Sequence, residues 1–221
     1  MLIYENKFKQ KVVISHCNHE EFYNTNDLKY NINKIFELPE IKNRVRGEKW
    51  DSHYGEGETS EIIPFIGPAN MPDTNDLIEW IKSESSKAYK LFYGEDIDEI
   101  VIERSWMNKM EYGSQGRCHN HLAVDNHKND LYNLGKTPDL VAIFYVNNPK
   151  DGAELILIKD AVHGKFSFDF PDTDRDHIKI NSGDLIIHKP DLWHAVGVHN
   201  SKDSRICFVF HISSEKKNDK I

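Results

Sequence analysis

Residues 178–212 read Ile178-Lys-Ile-Asn-Ser-Gly183-Asp-Leu-Ile-Ile-His188-Lys-Pro190-Asp-Leu-Trp193-His194-Ala-Val-Gly-Val-His-Asn-Ser-Lys-Asp-Ser-Arg205-Ile-Cys-Phe-Val-Phe-His-Ile212. Short runs of β-branched and aromatic residues alternate here with Gly, Pro, Asn and Asp, the texture of strands joined by turns. The same texture extends back to residue 97, with runs at 100–112, 119–124, 140–147, 153–158, 165–170, 178–180, 184–188, 195–198 and 205–212. They predict about eight short strands, with no helical pattern between them, which disfavours a parallel α/β sheet and favours a mainly β (α+β) double-sheet jelly roll or related barrel.

Ahead of residue 97 the pattern is helical. Leu28, Ile32, Ile35 and Phe36 recur at i, i+4, i+7 and i+8 between Asn26-Asp27 and Pro39, which predicts a short amphipathic helix. Leu77, Ile78, Ile81, Ala88, Leu91 and Phe92 predict a second, with Thr74 and Asn75 placed to cap its start and Gly94 its end. Both helices are expected to pack outside one sheet. The polar, acidic stretch 51–61 (DSHYGEGETSE) reads as a surface loop. One domain over 1–221 is expected, with a helical and loop elaboration over 1–96, a jelly-roll core over 97–213 and a polar tail over 214–221.

Composition narrows the function classes. Hydrophobic residues make up 38% and charged residues 29%, and no apolar run approaches the ~20 residues of a membrane-spanning helix. With 28 Lys and Arg against 36 Asp and Glu, the formal net charge is -8, which disfavours nucleic acid held through its phosphates. The three cysteines, Cys17, Cys118 and Cys207, are odd in number and scattered, so neither a disulfide framework nor a zinc ribbon is expected. With no leader-like pattern after Met1 and no lipidation signal, the expected location is the cytoplasm.

The twelve histidines include a pattern that points to metal chemistry. His119 and His121 stand at i and i+2, a spacing that on a strand sends both rings to one face. Imidazole suits iron, zinc, copper and nickel, and His194, just past a turn through Pro190, is placed to add a third ligand. Surface or turn histidines would produce the same His-x-His pair. Arg205 opens a strand whose period of two puts Ile206, Phe208, Phe210 and Ile212 on one face and Arg205, Cys207, Val209 and His211 on the other. An inward guanidinium wants a bidentate carboxylate; an internal Asp or Glu, or an exposed strand end, would also account for it.

Together, His119-Asn-His121, Phe144-Tyr145-Val146-Asn147, Gly152-Ala-Glu-Leu155, Gly183-Asp-Leu-Ile-Ile, His194 and Arg205 resemble the Fe(II)- and 2-oxoglutarate-dependent oxygenases, over roughly residues 100–213. The likeness is to the prolyl-hydroxylase-like branch and its small bacterial and phage members. It implies a double-stranded β-helix, iron held by His119, a group two residues on and His194, and 2-oxoglutarate paired through its distal carboxylate with Arg205 and hydrogen-bonded by Tyr145. Cys207 stands where many relatives have Ser or Thr. His-x-Asp/Glu is the common motif, so His121 departs from it, and Asp125 is the alternative carboxylate ligand. Both cannot ligate beside a bidentate co-substrate, because four protein ligands would leave no position for O2. The implied activity is hydroxylation with release of succinate and CO2.

Trp106, Trp193 and the acidic segment 167–176 are candidates for contact with a small-molecule or peptide substrate, and core packing and a solvated loop are the alternatives. Gly113, His119, His121, Asp125 and the stretch from Pro190 to His194 are also similar to the two cupin motifs, which would imply a three-histidine metal dioxygenase on the same kind of barrel. A non-catalytic jelly-roll binding or structural protein is the alternative outside enzymes. Substrate identity and oligomeric state are not encoded in these motifs.

Overall fold

A computed structural model describes residues 1–18, 25–38, 53–54, 57–59, 68–71, 74–122 and 137–215. In chain order its elements are β1 (Leu2–Glu5), β2 (Lys11–His16), α1 (Thr25–Phe36), β3 (His53–Tyr54), β4 (Gly57–Thr59), α2 (Asn75–Tyr93), β5 (Glu99–Met110), β6 (Gln115–His119), β7 (Leu140–Asn147), β8 (Leu155–Ile158), β9 (Arg175–Ile178), β10 (Asp184–His188), β11 (His194–Val196) and β12 (Arg205–Glu215). They form a seven-stranded sheet, β1-β2-β10-β7-β12-β5-β4, and a five-stranded sheet, β3-β6-β11-β8-β9. Every pairing is antiparallel. The chain is mainly β with a jelly-roll architecture, as the sequence predicts.

Alternation along β12 generates the layers. Ile206, Phe208, Phe210 and Ile212 join Leu28, Ile32 and Phe36 of α1 and Leu77, Ile78, Ile81 and Ala88 of α2 in one buried cluster. The two helices therefore cover the outer face of the larger sheet. Cys207 and Val209 face the other way, into a second cluster with Trp106, Val141, Ile143, Tyr145, Leu155, Leu157 and Ile186, drawn from both sheets. That cluster is the space between them. Phe208 and Phe210 are each 0% exposed, so either truncated to Ala costs about 3–5 kcal/mol.

The strands β1 and β2 have no counterpart in the sequence-based expectation, and β2 shows why. Val12 packs between the sheets while the next residue, Val13, packs under the helices. A strand buried on both faces loses the polar alternation that would announce it. Stretch 51–61, expected as a loop, supplies β3 and β4. Conversely, 165–170 is not a strand: Ser167–Asp169 is a 3₁₀ turn, with Phe166 and Phe168 stacked at 5.4 Å.

Details of α2 also differ from expectation. Thr74 does not cap it; its hydroxyl donates instead to Pro68 O at 2.6 Å and Met71 O at 2.8 Å. Leu91 is exposed, and Tyr89 takes the inward place on that turn. Gly94 ends the helix as expected, at φ 75° with its N–H donating to Lys90 O. No helix among the described residues is long and apolar enough to cross a membrane.

Candidate metal centre

Strands β6 and β11 are paired so that His119 lies directly opposite His194. The strand β6 ends at His119, so His121 does not share it, contrary to the expected run 119–124. His121 is delivered instead by the irregular segment just after it, where its N–H donates to Pro190 O at 2.8 Å. The three rings nevertheless converge. One ligand atom from each of His119, His121 and His194 lies within 4.8 Å of the others, and the ring centroids are 4.4–5.3 Å apart. Asp125 lies outside the described residues.

Hydrogen bonds orient all three rings the same way. His119 Nδ1 lies 2.9 Å from Arg117 O, and His194 Nδ1 lies 3.1 Å from Leu192 O. A carbonyl oxygen only accepts, so the proton sits on Nδ1 and each Nε2 keeps its lone pair. His121 Nδ1 lies 2.8 Å from His211 Nε2, and the consistent assignment again leaves His121 Nε2 free; that atom is buried without a partner among the described residues. Burial holds the pKa of His119 below the usual value and those of His121 and His194 well below it. Three neutral imidazoles with converging lone pairs are the state in which histidine binds a metal.

Two more histidines line the same space. In the larger sheet His188 and His211 both pair with Val141, and His211 pairs on its other side with Arg104. Cross-strand partners share a face, so these side chains form one row across the sheet, facing His119 and His194 of the smaller sheet. Burial pushes the His188 pKa down to about 4; burial and then the Arg104 charge push His211 down to about 3. Alternation in the sequence already put His211 on the Arg205 face; the inward position of His188 follows from the same period of two, with Ile186 between the sheets.

Trp106 is inside, edge-on to His211 at 5.0 Å and tilted against His121 at 6.2 Å. Trp193 packs elsewhere, against Cys118, Ile156, Ile158 and Ala195, the outer face of the smaller sheet. The acidic segment 167–176 is tied to the N-terminal hairpin: the Tyr4 hydroxyl donates to Asp176 and Lys7 Nζ to Asp172 O.

Arg205 is 2% exposed and points between the sheets. Its guanidinium carbon sits 4.9 Å from the Tyr145 ring centroid, and Nη1 reaches the sulfurs of Met110 at 3.2 Å and Cys207 at 3.6 Å. Arg205 Nε and the Tyr145 hydroxyl are both buried without a hydrogen-bond partner among the described residues. Among the described residues no carboxylate stands within ion-pair distance of the guanidinium. Burial raises the Tyr145 pKa, so its hydroxyl remains a donor. Cys207 and His211 share the inner face of β12 four residues apart, roughly 13 Å along a strand, so the arginine and the imidazoles occupy two depths of one interior.

No family model matches the sequence, and no curated protein matches it. Solved structures do match its fold. A prolyl-4-hydroxylase from Pseudomonas putida superposes with a TM-score of 0.57 over 95% of this chain and 95% of that one, at 10% identity. A 2OG-Fe(II) oxygenase family oxidoreductase from Burkholderia pseudomallei gives 0.52 over 91% and 84%, at 13% identity. HygX from Streptomyces hygroscopicus, solved with nickel and 2-oxoglutarate bound, gives 0.52 over 91% and 82%, at 11% identity. With its two antiparallel sheets and outer helices, this chain has the jelly-roll fold of the 2OG-Fe(II) oxygenases.

Proposed function

We propose that the chain is an Fe(II)- and 2-oxoglutarate-dependent oxygenase that hydroxylates a small molecule or a peptide side chain. The observation that carries this is an imbalance of charge. Three imidazoles bring no negative charge to a divalent ion, and Arg205 adds a buried cation with an unpartnered Nε and no carboxylate beside it among the described residues. Burying such charge uncompensated is costly. A dianion with a chelating keto-acid end and a distal carboxylate satisfies both positions.

In this arrangement His119, His121 and His194 would hold the iron through Nε2. Arg205 would pair with the distal carboxylate, the Tyr145 hydroxyl would donate to it, and Cys207 would line the same wall. Bound together, iron and 2-oxoglutarate supply the oxidising chemistry, with O2 as oxidant and succinate and CO2 as co-products. The chain's own share is positioning and exclusion of water: Val141, Ile143, Leu157, Ile186 and Val209 make the interior apolar around the polar groups. Trp106, against His121 and His211, is the aromatic candidate for a substrate wall. That HygX has also been solved with hygromycin B bound supports a small-molecule substrate.

Replacing Arg205 separates the parts. Arg205→Ala is expected to keep Fe(II) affinity and lose 2-oxoglutarate affinity, measured by anaerobic calorimetry on each ligand in turn. Normal 2-oxoglutarate binding by that variant contradicts the assignment. The all-histidine ligand set favours a second reading, a cupin-type three-histidine metal dioxygenase, in which Arg205 has no co-substrate role.

A further inference from the structure

Holding the iron does not account for His188. This residue is 0% exposed at the end of β10, with its ring 5.0 Å from that of His194 and 6.0 Å from that of His121. Its Nδ1 lies 2.7 Å from Lys189 O, so the proton is on Nδ1 and Nε2 carries a lone pair. That Nε2 is buried with no hydrogen-bond partner among the described residues. An unmet buried acceptor is costly, and a phenylalanine would fill the same space without that cost. Nor is its nitrogen among the ligand atoms gathered within 4.8 Å of one another, so His188 stands beside the metal position rather than on it.

We infer that His188 is a positioning residue on the exchangeable side of the metal centre, where its Nε2 accepts a hydrogen bond from a proton-bearing ligand, water in the absence of substrate, and disfavours a ligand without a proton. This rests on the three histidines binding a metal, but not on the identity of the co-substrate. Direct ligation by His188 is the competing arrangement. The ligand atoms within 4.8 Å of one another come from His119, His121 and His194 without it, and the imidazole count decides between the two.

The test uses the full chain loaded with Co(II), with His188→Phe and His188→Gln alongside. Co(II) affinity, the number of coordinated imidazoles from X-ray absorption and azide affinity from the visible spectrum are measured on each. All three proteins are expected to keep three imidazoles and a Co(II) affinity within about threefold of one another, because His188 makes no hydrogen bond to His119, His121 or His194 and so does not orient them. Azide, which brings no proton, is expected to bind His188→Phe about tenfold more tightly than wild type, because a lone pair no longer opposes it. His188→Gln keeps an acceptor oxygen and is expected to resemble wild type.

A pure packing role would move thermal stability and leave azide affinity alone, so unchanged azide affinity in His188→Phe overturns the inference. Loss of one coordinated imidazole in that variant overturns it by making His188 a ligand. A wild-type chain that takes up no Co(II) overturns both this inference and the proposed function. One that binds Co(II) but never 2-oxoglutarate contradicts the proposed function alone, and the azide comparison still decides His188.

Discussion

His121 Nδ1 lies 2.8 Å from His211 Nε2, so one imidazole of the candidate metal centre is itself oriented by another imidazole. Partners of this kind fix the ring and raise its basicity. Replacing His211 by Phe leaves the His121 N–H unmet and the ring free to turn. Metal affinity is expected to fall about 10- to 100-fold, and His211→Gln, which keeps an acceptor, to recover part of it. Competition with a chromophoric chelator measures both. Equal affinities for wild type and His211→Phe would remove His211 from the site.

Gly116 sits opposite Val196 in the strand pair that carries His119 and His194. A Cβ there would come within 2.9 Å of Val196 Cβ and 3.3 Å of its backbone nitrogen. Gly116→Ala must therefore push β6 from β11 and displace His119 from His194. The expected outcome is a loss of stability of about 1–3 kcal/mol together with weaker metal binding, seen in urea unfolding and metal titration. A variant with wild-type values for both would show that the pair tolerates spreading.

Acid should unfold the metal-free chain early. The pKa values of His119, His121, His188, His194 and His211 all lie below the ordinary value, His188 at about 4 and His211 at about 3, chiefly through burial. Well above pH 6.5, near pH 8, these histidines are neutral whether the chain is folded or not and add no pH dependence. As pH falls below that, the unfolded chain takes up protons that the folded chain refuses, so stability drops. The decline continues until the folded groups titrate, near pH 4 for His188 and pH 3 for His211. Urea midpoints at pH 8, 6.5 and 5 follow this directly, and a flat profile would contradict the buried, neutral cluster.

Metal removal should also cost stability, because an ion bound only by the folded chain stabilises it by mass action. At a free metal concentration about 100 times Kd the gain is roughly 2.7 kcal/mol. Adding a chelator should lower the melting temperature of wild type and leave His194→Ala unmoved. An equal shift in both would place the metal elsewhere.

The features most legible in the sequence are those governed by strict alternation. Along β12 the period of two assigns Ile206, Phe208, Phe210 and Ile212 to the helix-covered face and Arg205 and Cys207 to the interior, and the structure places them there. In β2, Val12 and Val13 face opposite clusters, so alternation fails, and the apolar run of three residues is shorter than the one that marks the doubly buried β7. The aromatic run at 165–170 resembles a strand in composition, yet Phe166 and Phe168 stack on each other across a 3₁₀ turn. Spacing brought His119, His121 and His194 forward as a set, but not the contact that fixes His121, since the Pro190 carbonyl that holds it lies far along the chain. Alternation puts His211 on the inner face of β12 and His188 on that of β10, but the register that sets them in one row through Val141 joins strands far apart in the chain and leaves no local mark.

The central claim is that three imidazoles and Arg205 together hold iron and 2-oxoglutarate. It is tested most directly by adding Fe(II) and then 2-oxoglutarate to the metal-free chain without oxygen, following the visible spectrum. A weak charge-transfer band that appears only with both, and is lost in His194→Ala and in Arg205→Ala, is the predicted result. Iron binding with no such band at saturating 2-oxoglutarate would contradict the account.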